Sequence, residues 1–178
     1  MLYDFGAPVG GLIQMAYIVE DIQAAAHQWI EQLKVGPWFI LDSFTGGDPV
    51  YRGSPSQAEV AIGMAYSGSM MIELIQLKDE HPSVYREMRD RSGYGFHHFG
   101  LASENLDADL KAYESRGFEL AFLAGVPTGG RVAYLDTDGQ MPGFVELIET
   151  GPAMEAHFTG YRRAALGWDG SNPIRPFL

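Results

Sequence analysis

Four polar residues lie within stretches that otherwise have the apolar pattern of buried strands: Gln14, Glu73, His98 and Glu146. Alternate residues of a strand share a face, and on that face each of the four has apolar or small neighbours. A buried carboxylate is unfavourable unless it is paired or coordinated. Two such carboxylates at one place would also repel each other, and a divalent cation would relieve both effects. The residue types therefore predict a metal centre if the fold brings the four side chains together.

An internal repeat places these four residues at equivalent positions. The segment QMAYIVEDI, which begins at Gln14, aligns with HFGLASENL, which begins at His98, and MIELIQ from Met71 aligns with FVELIE from Phe144. Gln14 and His98 thus lie on the first strands of two repeated units, and Glu73 and Glu146 lie on the last strands. The repeat predicts that a duplicated scaffold brings the four side chains to one point.

Each repeated unit has the pattern of a strand, a helix and three further strands (βαβββ). In the first unit Asp21 is placed to cap the helix, and a stretch at 42–57 that is rich in Gly, Pro, Ser and Asp is typical of a long loop. The predicted strands are 11–19, 38–41, 58–66 and 69–77, then 96–103, 119–123, 131–135 and 144–149. We expect an α+β fold with a first module at 1–80, a polar linker helix at 81–93, a second module at 94–150, and a C-terminal helix and irregular tail at 151–178.

Composition narrows the class of protein. The chain has 178 residues, 46% of them hydrophobic, which is enough to build a full core. It has no cysteine, which excludes disulfides, thiolate metal sites and cysteine nucleophiles. The formal net charge of −11 argues against binding to nucleic acid or to anionic membrane surfaces. With no basic leader and no long apolar run, we expect a soluble cytoplasmic protein.

The repeat and its four polar residues resemble the vicinal oxygen chelate superfamily, which includes glyoxalase I, methylmalonyl-CoA epimerase, extradiol dioxygenases and bleomycin-resistance proteins. The resemblance covers Gly11 to Thr150, and the tail segment GWDGSNPIR is similar to members of the glyoxalase-like branch. It implies that the paired units form a cupped mixed sheet around one site. It also implies a homodimer, because family members often dimerise.

The resemblance implies that the metal ligands are Gln14, Glu73, His98 and Glu146. The first ligand is more often His in the family, so Gln14 departs from the commonest pattern. A set of Gln, Glu, His and Glu is nevertheless the one seen in animal-type glyoxalase I. We expect a divalent ion, with Zn, Ni, Co, Mn and Mg all compatible with one imidazole, two carboxylates and an amide oxygen.

The ligand set indicates a reaction type. Iron-dependent ring cleavage uses two His and one carboxylate, and since His97 is expected to face away from His98, a dioxygenase is disfavoured. A bound ion would polarise a substrate carbonyl and stabilise an enediolate. By resemblance, Glu146 is the base that takes the proton alpha to that carbonyl, and Glu73 is the partner that returns it. The expected activity is that of a glyoxalase-like lyase, isomerase or epimerase.

The substrate is constrained by departures from glyoxalase I. Leu77 stands where that enzyme has an Asn that contacts glutathione, and Ile18 stands where it has an Arg, which argues against a glutathione adduct. The candidate pocket is apolar and suggests a small apolar or aromatic substrate. Its predicted lining residues are Trp38, Ile40, Met64, Tyr66, Met70, Phe122 and Tyr134.

A second class of function remains open. The chain could be a small-molecule binding protein of the drug-sequestering kind, whose acidic charge would favour cationic ligands. Each of the four residues could also have a purely structural role. Glu73 and Glu146 could be strand-end carboxylates bonded to Arg or to the backbone, Gln14 a buried amide that only hydrogen-bonds, and His98 a core histidine. Two carboxylates directed inward favour the enzyme, since a sequestering pocket does not need them.

Overall fold

The computed structural model describes residues 1–177, which form eleven strands and four helices. The helices are α1 (Ile22–Gln28, extended by a π-helical turn at Trp29–Leu33), α2 (Val84–Ser92), α3 (Leu106–Glu114) and α4 (Pro152–Ala165). The strands are β1 (Leu12–Ile18), β2 (Trp38–Phe44), β3 (Gly47–Tyr51), β4 (Ser54–Pro55), β5 (Val60–Ser67), β6 (Met70–Leu77), β7 (Gly95–Ser103), β8 (Glu119–Gly125), β9 (Arg131–Asp136), β10 (Phe144–Glu149) and β11 (Ile174–Pro176).

Polar side chains fix where the first three helices begin. Asp21 Oδ1 accepts a hydrogen bond from the Ala24 amide at 2.8 Å, which confirms the predicted cap of α1. Ser83 caps α2 and Asn105 caps α3 in the same way. Within residues 1–177, no helix combines the length and the apolar character needed to cross a membrane.

All eleven strands belong to one mixed sheet with the order β11-β2-β5-β6-β1-β7-β10-β9-β8-β3-β4. In each repeated unit the first and last strands are parallel neighbours, β1 with β6 and β7 with β10. The two units join where β1 pairs antiparallel with β7. The predicted α+β fold of two βαβββ units is confirmed, and the strands that carry the four polar residues are the four central neighbours β6-β1-β7-β10.

The sheet curves into a cup. β2 lies near one end of the strand order and β3 near the other, yet only residues 45–46 separate them in the chain. The two ends of the sheet must therefore approach each other. The prediction of a loop throughout 42–57 was wrong, because β3 pairs with β8 and β4 pairs with β3. Pro49 and Gly47 made this stretch resemble a loop, but a strand near the edge of a sheet tolerates both.

The inner and outer faces of the cup are covered by different helices. α1 and α3 pack on the outer face, each over its own hydrophobic cluster. α2 and α4 contribute Tyr85, Met88, Phe158 and other residues to the main cluster inside the cup. The helix expected at 81–93 is therefore amphipathic and not polar throughout, since its Val84 is completely buried.

The C-terminal segment is part of the fold. β11 pairs in parallel with β2, and the hydroxyl of Tyr161 on α4 donates a hydrogen bond to the carbonyl of Phe177. The prediction of an irregular tail is thus wrong for residues 174–176, while position 178 lies outside the described residues. α4 and β11 together close one side of the cup.

Candidate active site

The structure brings the four predicted residues together inside the cup. Gln14 Nε2 lies 3.0 Å from Glu73 Oε2, 3.1 Å from His98 Nε2 and 3.3 Å from Glu146 Oε2. His98 Nε2 lies 3.0 Å from Glu146 Oε2 and 3.4 Å from Glu73 Oε2. Neighbouring strands in register place the four side chains on one face of the sheet, since Ala16 pairs with both Glu73 and His98.

This four-residue cluster is almost completely withdrawn from solvent. Exposure is 1% for Gln14, 3% for Glu73, 0% for His98 and 4% for Glu146. Burial raises the pKa of Glu73 well above its usual value, and the neighbouring charge of Glu146 raises it further, while the hydrogen bond from Gln14 acts in the opposite direction. Among residues 1–177, His98 is the basic side chain recorded within 4.0 Å of either carboxylate, so the expectation of carboxylates paired with arginine does not hold.

A β-bulge on β7 places two histidines side by side. Ala16 pairs with His98 and the next residue, Tyr17, pairs with Phe96, so His97 is an extra residue without its own partner on β1. The bulge interrupts the alternation of faces, and the His97 and His98 ring centroids lie 5.0 Å apart. The expectation that His97 faces away from His98 was therefore wrong. His97 is completely buried.

The hydrogen bonds of His97 determine which nitrogen His98 presents to the cluster. His97 Nε2 lies 3.2 Å from the Val84 carbonyl, which can only accept, so this nitrogen carries a proton. Burial, and then the proximity of His98, hold the pKa of His97 well below its usual value, so the ring is neutral and Nδ1 is an acceptor. His98 Nδ1 lies 2.8 Å away and must be the donor. The other ring nitrogen of His98, Nε2, then faces Gln14 and the two carboxylates.

The amide of Gln14 leaves one polar atom without a partner. Its Nε2 contacts the three other side chains, while Oε1 is buried with no hydrogen-bond partner among the described residues. A half-turn of the amide exchanges the two atoms and presents an oxygen to the cluster. With Oε1 inward, the cluster offers one imidazole nitrogen and three oxygens, a donor set that suits a divalent ion.

The spacing of the donor atoms can be compared with that around an ion. Ligands about 2.0–2.2 Å from an ion and at right angles to each other lie about 3 Å apart. The five distances within the cluster are 3.0–3.4 Å. No group of three or more His, Cys, Asp or Glu in residues 1–177 forms a metal site as it stands. The cluster fits an ion only with Gln14 as an oxygen ligand, so metal binding stays a prediction.

A cavity extends from the cluster into the apolar interior. Gln14, Glu73 and Glu146 lie at its polar end. The cavity has a volume of about 40 Å³, which is enough for about three water molecules. The remaining walls are Phe44, Ile62, Met64, Tyr85, Val126, Pro127, Thr128, Val132, Tyr134, Ile148, Phe158 and Phe177. Because Phe158 and Phe177 belong to α4 and the C-terminal segment, these elements limit the size of a ligand.

Two buried phenols contribute to the polar end of the cavity. The rings of Tyr85 and Tyr134 lie 6.0 Å apart, and Tyr134 packs edge-on against His98 at 4.9 Å. Burial raises the pKa of both phenols, and the charges of Glu73 and Glu146 add to the effect. Both hydroxyls therefore keep their protons at neutral pH and can donate hydrogen bonds to a bound oxygen atom.

The sequence identified part of this cavity. Met64 and Tyr134 line it as predicted, while Tyr66 and Phe122 are buried inside the cup without lining it. The remaining predicted lining residues pack on the outer face under α1, so those predictions were wrong: Trp38, Ile40 and Met70. Tyr85, Phe158 and Phe177 were missed because they come from helices and a tail outside the repeat. For α2, the apolar residues at helical spacing, Val84, Tyr85 and Met88, could have predicted that one side of the helix is buried.

Comparison with known proteins places the chain in a family. The model of the Glyoxalase/Bleomycin resistance protein/Dioxygenase superfamily matches residues 13–134, which is more than half of the chain. A comparison with curated proteins yields no match.

Solved structures similar to this chain share its fold at low sequence identity. A hypothetical protein from Bacillus halodurans C-125 is 18% identical with a TM-score of 0.59, over 79% of this chain and 94% of that one. Methylmalonyl-CoA epimerase from Mycobacterium tuberculosis is 20% identical with a TM-score of 0.60, over 83% and 93%. A variant Streptomyces coelicolor methylmalonyl-CoA epimerase in complex with 2-nitronate-propionyl-CoA is 14% identical with a TM-score of 0.59, over 82% and 98%.

Proposed function

The chain belongs to the glyoxalase/bleomycin resistance protein/dioxygenase superfamily, and from this premise we propose that it is a metal-dependent enzyme of the isomerase, epimerase or lyase type. It would move a proton at the carbon next to a carbonyl of a small, apolar substrate. Epimerases are among the proteins of similar fold, and inversion at a carbon beside a carbonyl is proton-transfer chemistry of this kind.

One observation carries this proposal. Two carboxylates, one imidazole and one amide meet in a buried cluster at the end of an apolar cavity, and the carboxylates have no arginine or lysine partner in residues 1–177. Such an arrangement is unfavourable for stability alone. Perturbed carboxyl groups at the end of a cavity are typical of catalytic sites.

The ligands of a divalent ion would be Gln14 Oε1, His98 Nε2, Glu73 and Glu146. A bound ion of this kind polarises a carbonyl as a Lewis acid and so acidifies the adjacent carbon. The His98 ring, oriented by His97, directs Nε2 at the position that such an ion would occupy.

The two carboxylates have distinct roles in the proposed proton transfer. Glu146 Oε2 lines the cavity and takes the proton from the carbon next to the substrate carbonyl. Glu73 is the partner that returns a proton to the substrate; in the metal-free protein, burial and then the charge of Glu146 raise its pKa. Tyr85 and Tyr134 would donate hydrogen bonds to the substrate oxygen as negative charge develops there.

Two measurements on one preparation test this function. Metal analysis of purified protein should find a stoichiometric divalent ion that is lost in Glu146→Ala, and the loaded protein should exchange deuterium from solvent into the carbon beside the carbonyl of a thioester or 2-oxo compound. Metal-free protein that binds cationic aromatics and catalyses no exchange would instead support the drug-sequestering alternative. Glu104→Ala, at an exposed position, is the matched control.

A further inference from the structure

A second group of buried polar side chains lies beside the cavity, where α4 packs on β5. It consists of Tyr66 on β5 and Thr159 and Arg162 on α4, and we call it the Arg162 cluster. Tyr66 is 3% exposed and Thr159 is 7% exposed. Tyr66 Oη, Thr159 Oγ1 and Arg162 Nε are all buried without a hydrogen-bond partner in the described part of the chain. Buried polar atoms in a folded protein normally have partners, so this cluster is incomplete as it stands.

The positive charge of Arg162 is not neutralised by a carboxylate of residues 1–177. The recorded ion pairs use Arg52, Arg86, Arg89 and Arg131. Burial raises the pKa of Tyr66, and the charge of Arg162 partly lowers it, so that charge acts on the phenol. The chain has 23 Asp and Glu but only 12 Lys and Arg. Because carboxylates are in excess, a half-buried arginine that pairs with none of those described is unusual.

Backbone packing, not a counter-ion, holds the guanidinium in place. Gly6 has a φ of +83°, and a Cβ there would lie 3.0–3.2 Å from three guanidinium atoms of Arg162. The turn around Gly6 is closed by a hydrogen bond from the Tyr3 amide to the Ala7 carbonyl, and the Asp4 amide bonds Glu155 on α4. The N-terminal turn thus packs over the guanidinium and fixes it before any ligand is present.

The register of the strands relates this cluster to the candidate active site. Met64 pairs directly with Glu73, and Tyr66 is two residues further along the same face of β5. Such diagonal neighbours lie about 7–8 Å apart. On α4, Arg162 is one turn beyond Phe158, which lines the cavity. The Arg162 cluster therefore lies just beyond the part of the cavity wall that Met64 and Phe158 form.

We propose that the Arg162 cluster binds a carboxylate group of the substrate whose carbonyl end lies at Glu73 and Glu146. A planar guanidinium with two hydroxyls matches the two oxygens of a carboxylate. This assignment rests on the proposed function and deepens it, since it names the substrate class as small carbonyl compounds with a carboxylate a few carbon atoms away. The acidic surface of the protein makes this the favoured place for an anion.

Binding measurements test this without requiring turnover. The probes are methyl-ketone carboxylates in which the number of methylene groups between ketone and carboxylate is varied, each compared with its methyl ester by calorimetry. The wild-type protein should bind the carboxylate at least about tenfold more tightly than the ester, as expected for a charge-assisted pair. The preference should depend on the number of methylene groups and be largest at one spacer length, because the two binding groups are fixed relative to each other.

Variants locate the effect. Arg162→Gln should remove most of the carboxylate preference and leave ester binding within about twofold, while Arg163→Gln, at the next and exposed position of α4, should retain it. Tyr66→Phe, which removes one hydroxyl, should reduce the preference in part and serves if Arg162→Gln does not fold. Equal binding of carboxylate and ester by wild-type protein, binding of no probe at all, or an unchanged preference in Arg162→Gln would overturn the proposal.

The binding measurements can confirm or reject the anion site whether or not the protein catalyses the proposed proton transfer. A carboxylate preference that depends on Arg162, in a protein that catalyses no deuterium exchange, would retain the anion site and reject the enzyme. Exchange in a protein that shows no preference for the carboxylate over the ester would retain the enzyme and reject the anion site.

Discussion

At the scale of single residues, His97 controls the chemistry of His98 although it does not reach the cavity. Its ring connects the Val84 carbonyl to His98 Nδ1 and so directs His98 Nε2 at the carboxylates. Groups that orient a metal-binding histidine typically change metal affinity when they are replaced. The His97 ring also packs against other side chains, because it stacks on Tyr85 with the centroids 5.3 Å apart. A test of the orienting role must therefore keep this packing and remove only the hydrogen bonds.

We predict that His97→Phe weakens Zn²⁺ binding about 10–100-fold, because phenylalanine keeps the packing but removes both hydrogen bonds. His97→Gln keeps a hydrogen-bond donor and an acceptor, so its Zn²⁺ affinity should lie between those of the wild type and His97→Phe. Competition with a chelator of known affinity measures the effect, and His27→Gln, at an exposed position of α1, is the control. An unchanged affinity in His97→Phe would mean that His97 does not orient His98.

Gly100 provides the space in which the cluster assembles. It lies on the face of β7 that carries His98, and it pairs with both Gln14 and Glu146. A Cβ at this position would lie 2.7 Å from Gln14 Cβ, 3.0 Å from Ile148 Cδ1 and 3.4 Å from Glu146 Oε2. Neither neighbouring strand can move away without loss of the pairing.

Gly100→Ala should therefore destabilise the protein by about 1–3 kcal/mol, the usual effect of overpacking, and should also displace Gln14 and reduce metal binding. Gly160→Ala is a matched control, because Gly160 lies in α4 with open space around it and should gain about 0.5–1 kcal/mol from higher helix propensity. Urea unfolding measures both. Equal stability of the two variants would contradict the close packing at Gly100.

The sequence predicted the meeting of the four residues but not the state of each atom. Gln14, Glu73, His98 and Glu146 were found because they interrupt apolar strands at repeat-equivalent positions, and a period of two is a robust signal. The roles of His97 and Gly100 were not predictable in this way. His97 depends on a bulge whose position is set by pairing with β1, and Gly100 matters only through neighbours that are distant in sequence.

At the scale of elements, Arg52 links the end of β3 to α2 and to the second repeated unit. Its guanidinium donates to Glu87 of α2 at 2.7 Å and to Asp136 at the end of β9 at 2.6 Å. Burial alone would raise the pKa of Asp136, but the hydrogen bonds from Arg52 and from the Asp138 amide, together with nearby positive charge, outweigh it and the pKa is lowered. Arg52 directly follows β3, so these bonds hold that strand against the second unit.

Arg52→Met should lower the free energy of unfolding by about 1–2 kcal/mol at pH 7, a modest value because Arg52 is 35% exposed. A lowered folded pKa contributes stability above the unfolded pKa of about 3.9 and loses it as the pH falls through the folded value. The difference from wild type should thus shrink below about pH 4. Urea unfolding at several pH values measures it, with Arg163→Met as control. A difference that persists unchanged at low pH would contradict the role of Asp136.

Elements inside the repeat were predicted well and those outside it were not. β5, β6, β7 and β10 were placed within two residues because each has a continuous apolar face. β3, β4 and β11 were missed, since short edge strands that contain proline carry little hydrophobic pattern and form only because another strand offers its edge. The same limit hid Phe177, which encloses the cavity. The boundaries expected for the two modules and the linker stay predictions.

At the scale of the whole molecule, the cup holds two carboxylates inside a hydrophobic core whose net stability is small compared with its component terms. The two carboxylates lie at equivalent positions of the two repeated units, on β6 and β10, and both face the inside of the cup. A homodimer and a cytoplasmic location also stay predictions, because they concern contacts and surroundings beyond this chain. What the single chain does predict is how its own stability depends on pH.

The metal-free protein should become less stable as the pH rises. The folded protein keeps a proton on Glu73 at pH values where the unfolded chain, with an ordinary pKa near 4.5, has released it, because burial and Glu146 raise the folded pKa. Stability contributed by this proton is complete below the unfolded pKa and is lost as the pH rises through the folded pKa. In the presence of a chelator, Tm should therefore fall between about pH 5 and pH 8, by about 2–4 °C for each kcal/mol lost.

Glu73→Gln should remove most of this dependence, since the buried amide does not ionise, and its Tm in chelator should exceed that of wild type at the upper end of the range. Adding Zn²⁺ at pH 8 should reverse the order, because the ion stabilises the folded wild-type protein by mass action and the variant has lost a ligand. Thermal unfolding followed by circular dichroism measures all four states, with Glu104→Gln as the exposed control. A wild-type Tm that is equal at both pH values in chelator, and unmoved by Zn²⁺, would mean that the cluster tolerates its charges without an ion.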